Sequence, residues 1–144
     1  MTITIRQYSE EDIEAVLSAW HAASTLAHPF LTSEFHEQVR YDMINLYLPN
    51  TDTWVAEIDE AVIGFIALAG NEIGGLFVQP EFHGMGIGKA LMDKAHTLHK
   101  ELEVEVFKKN SIGRKFYSQY GFEFQAESIH SATKNSVLRL KFIA

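Results

Sequence analysis

The stretch FVQPEFHGMGIGKALM, residues 77–92, decides the fold prediction. An apolar strand ends at Val78, a short loop carries Gly84, Gly86 and Gly88, and an amphipathic helix begins at once. Glycine lets the backbone adopt positive φ and approach a ligand closely. The first amides of a helix have no partners inside the helix, and the helix dipole is positive at that end. The stretch therefore predicts a strand–turn–helix unit whose main-chain N–H groups can hold a pyrophosphate.

Two better-known glycine-rich motifs do not fit this turn. A P-loop places Ser or Thr after its Gly-Lys pair, whereas Gly88-Lys89 is followed by Ala90. A dinucleotide fingerprint has the spacing G-x-G-x-x-G, whereas the spacing here is G-x-G-x-G. An NTPase and a dinucleotide-binding enzyme are therefore disfavoured. A tight strand–helix connection that holds no ligand remains an alternative.

Outward from this turn, hydrophobic periodicity and turn residues predict the element order β-α-α-β-β-β-α-β-α-β-β. Strands are expected at residues 2–6, 53–58, 62–69, 72–78, 103–107, 122–126 and 137–142, with a loop at 127–136. The helices are expected from a Ser9–Asp12 capping box to before Pro29, from Thr32 or Ser33 to Pro49-Asn50, at 86–100, and at 110–120 before Gly121. Early consecutive strands and later alternation predict an α/β fold, with a mixed sheet of about seven strands flanked by four helices. We expect one domain over residues 1–144.

Composition narrows the class of function. The chain has 144 residues, of which 47% are hydrophobic and none is cysteine, so disulfides, thiolate metal sites and cysteine nucleophiles are excluded. The formal net charge of −7 argues against nucleic-acid binding, and an acidic surface can attract a cationic amine. The opening sequence MTITIRQYSEED lacks a signal-peptide pattern, and no run of about 18 apolar residues occurs. We therefore expect a cytoplasmic protein that binds no membrane and no metal.

A second informative stretch is NSIGRKFYSQYGF, residues 110–122. Asn110 and Tyr117 are seven residues apart, about two helical turns, so they share one face of a helix. Phe116 and Phe122 can pack into the core. On its own, Tyr117 could be a half-buried aromatic residue with a satisfied hydroxyl.

The two stretches together resemble one known family. HGMGIG at residues 83–88 is similar to the acetyl-CoA signature [QR]-x-x-G-x-[GA] of the GNAT N-acetyltransferases, with His83 in the Gln or Arg position. Residues 110–122 resemble the later half of that family, and AHPFL at 27–31 and LFVQP at 76–80 are similar to its YjaB-type bacterial branch. The resemblance implies the GNAT acyl-CoA N-acyltransferase fold. It also implies transfer of an acetyl group from acetyl-CoA to a primary amine of a small molecule or protein, by direct attack. The alternative is a catalytically weak protein that binds CoA as a sensor. The resemblance is also compatible with a homodimer.

The resemblance further implies which residues hold the co-substrate. Its pyrophosphate would bind at the turn formed by His83, Gly84, Met85, Gly86, Ile87, Gly88 and Lys89. The strand residues Leu76, Phe77 and Val78 would offer main-chain groups to the pantetheine arm. This strand would separate from its neighbour, and a bulge there would aim one N–H at the thioester oxygen.

Cations near the second stretch, Lys108, Lys109, Arg114 and Lys115, could meet the 3′-phosphate of the co-substrate or could be solvated charges. Of these, Lys115 is the predicted contact.

Catalytic roles follow from the same resemblance and from the chemistry of aminolysis. Asn110 would contact the pantetheine arm or the reaction centre, and Tyr117 would lie near the thioester sulfur as general acid. Tyrosine has a pKa near 10, so its hydroxyl can donate to a leaving thiolate at neutral pH. An alkylammonium must lose a proton before attack, and Glu72 is the first candidate for the base, Glu105 the second and His28 the third. Each of these three could instead be an ordinary surface or core residue.

Overall fold

A mixed sheet of seven strands forms the centre of the computed structural model, which describes residues 2–143. In chain order the strands are β1 (Thr4–Gln7), β2 (Asp52–Ile58), β3 (Ala61–Ala69), β4 (Glu72–Val78), β5 (Glu101–Phe107), β6 (Glu123–Ile129) and β7 (Ser136–Ile143). Their spatial order is β1-β2-β3-β4-β5-β7-β6, and all neighbours are antiparallel except the parallel pair β4–β5. The predicted mixed sheet is confirmed. Residues 1 and 144, the ends of the expected domain, lie outside the described residues.

Four helices pack on this sheet within the described residues. They are α1 (Ile13–Ala27), α2 (Ser33–Asp42), α3 (Ile87–Leu98) and α4 (Ser111–Tyr120). A 3₁₀ turn, Glu10–Asp12, leads into α1, and α2 continues through a π-helical turn, Met43–Tyr47, and a last turn, Leu48–Asn50. None of the helices between residues 2 and 143 has the length and apolar character needed to cross a membrane.

Alternating residues of β2 and β3 supply two hydrophobic clusters. Val55 and Phe65 pack with α1 residues such as Trp20, whereas Ala56 and Ile66 belong to the cluster that contains Leu91 and other α3 residues. Since successive side chains of a strand point to opposite faces, these clusters lie on opposite sides of the sheet. Helices therefore cover both faces, as the sequence predicts.

Local signals in the sequence explain where the helices begin and end. The Asp12 carboxylate accepts the Ser9 N–H at 2.9 Å, and Thr32 Oγ1 accepts the Phe35 N–H at 3.1 Å. Thr32, rather than Ser33, is thus the cap of α2. α1 ends at Ala27, before Pro29, and Gly121 adopts a φ of 118° after α4, as its left-handed cap position requires.

Several element boundaries differ from the prediction: β1 runs over Thr4–Gln7 rather than residues 2–6, and β5 begins at Glu101 rather than at residue 103. β6 continues to Ile129, inside the stretch expected to be a loop, and the connection to β7 is residues 130–135. β6 is an exposed edge strand, so pairing with β7 defines it and no apolar alternation marks it. α3 ends at Leu98 because β5 already begins at Glu101, where it pairs with Ile143 of β7.

The parallel pair β4–β5 holds together only at its start. Within the described residues it comprises two register pairs, Glu72 with Glu103 and Ile73 with Val104. The register with β3 then shifts, which leaves Gly74 as an extra residue in β4, a β-bulge. Past this bulge, residues 76–78 pair with β3 but not with β5. The expected separation of the strands is present, and the bulge lies at Gly74, two residues before the segment where it was expected.

The core beneath this opening should be sensitive to truncation. Leu91 of α3 is fully buried, and Leu91→Ala should lower the free energy of unfolding by about 2–5 kcal/mol, because it leaves a cavity. The matched control on the same helix is Leu98→Ala, at a side chain that is 43% exposed, for which we expect less than about 1 kcal/mol. Urea unfolding followed by tryptophan fluorescence measures both. Equal losses in the two variants would contradict the placement of α3.

Candidate active site

A cleft of about 850 Å³ opens where β4 and β5 separate. The last three residues of β4, the glycine turn, α3, and α4 with its N-cap form most of its wall. Ala23 and Ala27 of α1 and Phe142 of β7 also line it. Several predicted co-substrate contacts therefore meet in one place; those that line the cleft are Leu76, Phe77, Val78, His83, Gly84, Gly86, Ile87, Gly88, Lys89, Asn110, Lys115 and Tyr117. Met85 does not line it, and its side chain is 48% exposed.

The glycine turn places unpaired amides at the edge of this cleft. Gly84 and Gly86 have φ values of 81° and 82°, in the region that favours glycine, and Gly86 is the N-cap residue of α3. The first helical hydrogen bond runs from the Ala90 N–H to the Gly86 carbonyl oxygen at 3.0 Å. The amides of residues 87–89 therefore have no partner inside the helix and can bind an anion.

Packing, rather than a positive φ, requires glycine at position 88. A Cβ atom at this position would lie 3.1 Å from the ring of Phe116, so a side chain would push α3 away from α4. The glycine thus allows the two helices that flank the cleft to approach each other closely.

His83 ties the turn to the strand that precedes it. Its Nε2 atom lies 2.9 Å from the carbonyl oxygen of Val78 and can donate to it. The position that is Gln or Arg in the resembled signature therefore makes a contact within the chain, between the turn and the end of β4.

α4 brings the two polar residues of the second stretch to the cleft. Asn110 is buried, and its Oδ1 atom accepts the Gly113 N–H at 2.8 Å, which caps the helix. Tyr117 is 7% exposed, and its ring packs against Phe116 and Phe122. Burial raises the pKa of the Tyr117 hydroxyl well above its usual range, so the group stays protonated at neutral pH.

Charged groups on α3 also face the cleft. The Lys89 ammonium and the Tyr120 hydroxyl both donate to the Asp93 carboxylate, at 2.8 and 2.7 Å. Burial acts to raise the pKa of Asp93, but these two hydrogen bonds together with the charge attraction of Lys89 and His96 outweigh it, and its pKa lies below its usual range. Asp93 therefore holds Lys89 at the edge of the cleft as an ammonium beside the unpaired amides.

The four cations near the second stretch divide into two groups. Lys115 lines the cleft. The other three make contacts elsewhere: Lys108 pairs with Glu127 at 3.3 Å, Arg114 donates to the Lys108 carbonyl oxygen, and Lys109 lies over the ring of Phe30.

The carboxylates considered as general bases lie outside the cleft. Glu72 accepts from Arg139 at 2.8 Å, and the same guanidinium lies 3.5 Å from Glu105 and from Glu103. The structure therefore brings Glu72 and Glu105 together in one ion-pair network and does not bring either to Tyr117.

His28, the third candidate, lies much closer to the second stretch. Its Nε2 atom is 3.1 Å from Nδ2 of Asn110, and its Nδ1 atom is 3.0 Å from Oγ of Ser24. Burial, with a smaller contribution from His36, lowers the pKa of His28 to about 4. The imidazole is therefore neutral at pH 7.

A second cavity, of about 500 Å³, lies between α1 and α2 and also reaches His28. Trp20, His21, His36 and Arg40 are among the residues that line it. His28 belongs to this cavity and its partner Asn110 belongs to the cleft, so the two residues lie where the cavity and the cleft approach each other.

Sequence reasoning missed several residues on α3 and α4 that line the cleft. The polar ones are Asp93, His96, Gln119 and Tyr120. Lys89, Asp93 and His96 follow the spacing i, i+4 and i+7, which places them on one helix face. Because Lys89 is a predicted site residue, this spacing could have identified Asp93 and His96. The contribution of Ala23 and Ala27 has no comparable signal, because it depends on how α1 packs.

A family model and several known proteins match this chain. A family model described as an acetyltransferase (GNAT) domain matches residues 49–124. The peptidyl-lysine N-acetyltransferase YjaB of Escherichia coli (strain K12) is 32% identical over 130 residues, which cover 89% of this chain and 87% of YjaB. The peptidyl-lysine N-acetyltransferase YiaC of the same organism is 33% identical over 119 residues, 82% of each chain.

Solved structures agree with these sequence relatives. The solution structure of the apo form of E. coli YjaB superposes with a TM-score of 0.88 at 27% identity, and covers 100% of this chain and 99% of YjaB. The PaiA N-acetyltransferase of Thermoplasma acidophilum, whose crystal structure is a complex with coenzyme A, superposes with a TM-score of 0.77 at 23% identity, over 99% of this chain and 100% of PaiA. The glycine turn, the separated strands and the match over most of two related enzymes lead to one conclusion: this chain belongs to the GNAT family of N-acetyltransferases.

Proposed function

We propose that this protein transfers the acetyl group of acetyl-CoA to the ε-amine of lysine residues in peptides or proteins, with Tyr117 as the general acid. The observation that carries the proposal is a single cleft at the opening between β4 and β5, which is lined both by the glycine turn with its unpaired amides and by Tyr117. Membership of the GNAT family supports acetyl transfer, and the peptidyl-lysine activity of two relatives supports lysine as the acceptor.

The chain's own residues fit a CoA thioester. The amides of residues 87–89 and the Lys89 ammonium offer donors and positive charge to a diphosphate. Leu76, Phe77 and Val78 lack a strand partner on the β5 side, so their main-chain groups can bind the amides of an extended pantetheine arm. We expect Lys115, which is exposed and lines the cleft, to contact the 3′-phosphate.

Acetyl-CoA supplies the thioester carbonyl, at which the C–S bond breaks as the new amide C–N bond forms. Tyr117 stays protonated at neutral pH and donates its proton, or a hydrogen bond, to the departing sulfur. A main-chain N–H of β4 near the Gly74 bulge stabilises negative charge on the carbonyl oxygen. Asn110 holds the first turn of the helix that carries Tyr117.

The proton of the incoming ammonium leaves by a route that includes water. Glu72, the first candidate for the base, can serve only if water connects its carboxylate to the cleft, since Arg139 holds it in a separate network. Burial of a lysine side chain beside the apolar wall formed by Ala23, Ala27 and Phe77 lowers the pKa of its amine, which makes the neutral nucleophile easier to reach.

Binding and turnover can be tested separately. Calorimetry with acetyl-CoA should give a Kd below about 1 mM, the upper end of the range in which most KM values of enzymes fall. Addition of a lysine peptide with a blocked N-terminus should then release free CoA thiol, whereas the same peptide with N-ε-acetyllysine should release none. Absence of binding at this concentration would overturn the proposal, and binding without thiol release would favour the CoA-binding sensor.

The role of Tyr117 predicts a specific kinetic effect. Tyr117→Phe should lower kcat about 10- to 10³-fold with little change in the Kd for acetyl-CoA, because the lost proton donor acts in the transition state. Tyr8→Phe, outside the cleft, is the matched control and should retain wild-type turnover. If Tyr117→Phe turned over at the wild-type rate, the phenol would have no part in the mechanism.

The glycine turn predicts a binding effect instead. Gly86→Val forces a β-branched residue into a φ of 82°, which costs roughly 1–3 kcal/mol, and relief of this strain moves the unpaired amides. The Kd for acetyl-CoA should therefore rise about 5- to 100-fold. Gly70→Val is the matched control, since Gly70 also has positive φ, at 61°, but lies in the β3–β4 turn with open space around it. Equal Kd values in the two variants would contradict pyrophosphate binding at the turn.

A further inference from the structure

We infer that His28 is a positioning residue for the acetyl-transfer site: its unprotonated Nε2 atom accepts the Asn110 amide N–H and so fixes the helix that carries Tyr117. This inference rests on the proposed function for its kinetic consequences, but not for its structural ones. It assigns to His28 a role other than that of a general base.

Aromatic neighbours fix the position of the His28 ring. His28 follows the last residue of α1, and its imidazole is buried among the rings of Phe30, Phe77 and Phe107, whose centroids lie 5.8, 6.4 and 5.2 Å away. Phe77 belongs to β4 and Phe107 is the last residue of β5. His28 therefore contacts both strands where they have already separated, and it joins them to α1.

The two hydrogen bonds of the Asn110 side chain fix which atoms donate and which accept. Oδ1 of Asn110 accepts the Gly113 N–H at 2.8 Å, which identifies the other terminal atom as the amide nitrogen, a donor. That nitrogen lies 3.1 Å from Nε2 of His28, so Nε2 must accept and carries no proton. The proton of the neutral ring is therefore on Nδ1, which donates to Ser24 Oγ at 3.0 Å.

The hydrogen bond between His28 and Asn110 requires an uncharged imidazole. A protonated ring would place an N–H against the Asn110 N–H and break the contact. The aromatic residues around the ring carry no charge, and the titratable or charged groups that line the cavity on its other side are His21, His36, Glu37 and Arg40. Burial and the neighbouring His36 lower the pKa of His28 to about 4, so the accepting form persists at neutral pH.

The consequence concerns Asn110, which joins α1 to the beginning of α4. Asn110 makes one hydrogen bond to the helix it caps and one to His28, 82 residues away in the chain. Loss of the second bond frees the amide to rotate, and the cap that orients α4 loosens. Because its lone pair on Nε2 is already engaged, His28 does not take the proton of the amine substrate.

The tautomer is tested without any substrate. Long-range ¹H–¹⁵N correlation spectra of the wild-type protein should show the Nδ1–H form for His28, which His28→Gln identifies among the seven histidines. Asn110→Asp keeps an oxygen for the cap but places a carboxylate against the ring, so the pKa of His28 should rise by about one unit or more. An Nε2–H tautomer, or an unchanged pKa in Asn110→Asp, would overturn the inference.

Kinetics then test the positioning role. His28→Phe fits the aromatic surroundings but has no acceptor, and its kcat should fall about 10- to 100-fold with a Kd for acetyl-CoA within about threefold of wild type. His28→Gln restores an acceptor oxygen near the Nε2 position, and its kcat should be at least about tenfold higher than that of His28→Phe. His99→Phe, at the end of α3, is the matched control for the same substitution.

Failure of the positioning role and failure of the proposed function give different results. Wild-type kcat in His28→Phe, or equal impairment of His28→Phe and His28→Gln when both melt at the wild-type temperature, would contradict the positioning role. A wild-type protein with no acetyl transfer to lysine peptides would overturn the proposed function instead. In that case the spectra would still decide whether His28 accepts from Asn110.

Discussion

Residues 76–78 of β4 pair with a neighbouring strand on one side only, and the architecture of the active site depends on this one-sided pairing. Main-chain N–H and C=O groups that lack a partner in the sheet must bond to water or to a ligand. An extended chain of amides fits such an edge as an additional strand would. The protein thus keeps an unpaired edge inside the sheet, where helices and neighbouring strands prevent it from pairing with other proteins.

Several packing features keep the two strands apart. The bulge at Gly74 ends the regular register just before the unpaired segment, and the rings of Phe77 and Phe107 meet across His28 rather than across a hydrogen-bonded ladder. On the other face of the sheet, Gly88 allows α3 to approach Phe116 of α4. The opening is therefore held on both faces by buried contacts between elements that are distant in the chain.

Much of this could be predicted from sequence because the decisive signals are local. The bounds of β4, the glycine turn, and the Asn110 and Gly121 ends of α4 each depend on a few neighbouring residues. The contacts of His28 with Asn110 and of Glu72 with Arg139 join residues 82 and 67 positions apart, and no local pattern reports them. The end of β6 was missed for a related reason, since only its pairing with β7 defines a polar edge strand.

The polar groups nearest the proposed reaction share one electrostatic property. Asn110 has no charge, burial keeps the Tyr117 hydroxyl protonated, and burial keeps the His28 imidazole unprotonated. A buried site made of neutral dipoles destabilises an ammonium more than a free amine. In the proposed mechanism the departing thiolate also loses solvation, and the hydrogen bond from Tyr117, which strengthens as the surrounding dielectric falls, offsets that loss. Desolvation of the amine therefore favours the proposed transfer, and this reduces how basic the group that removes the amine proton must be.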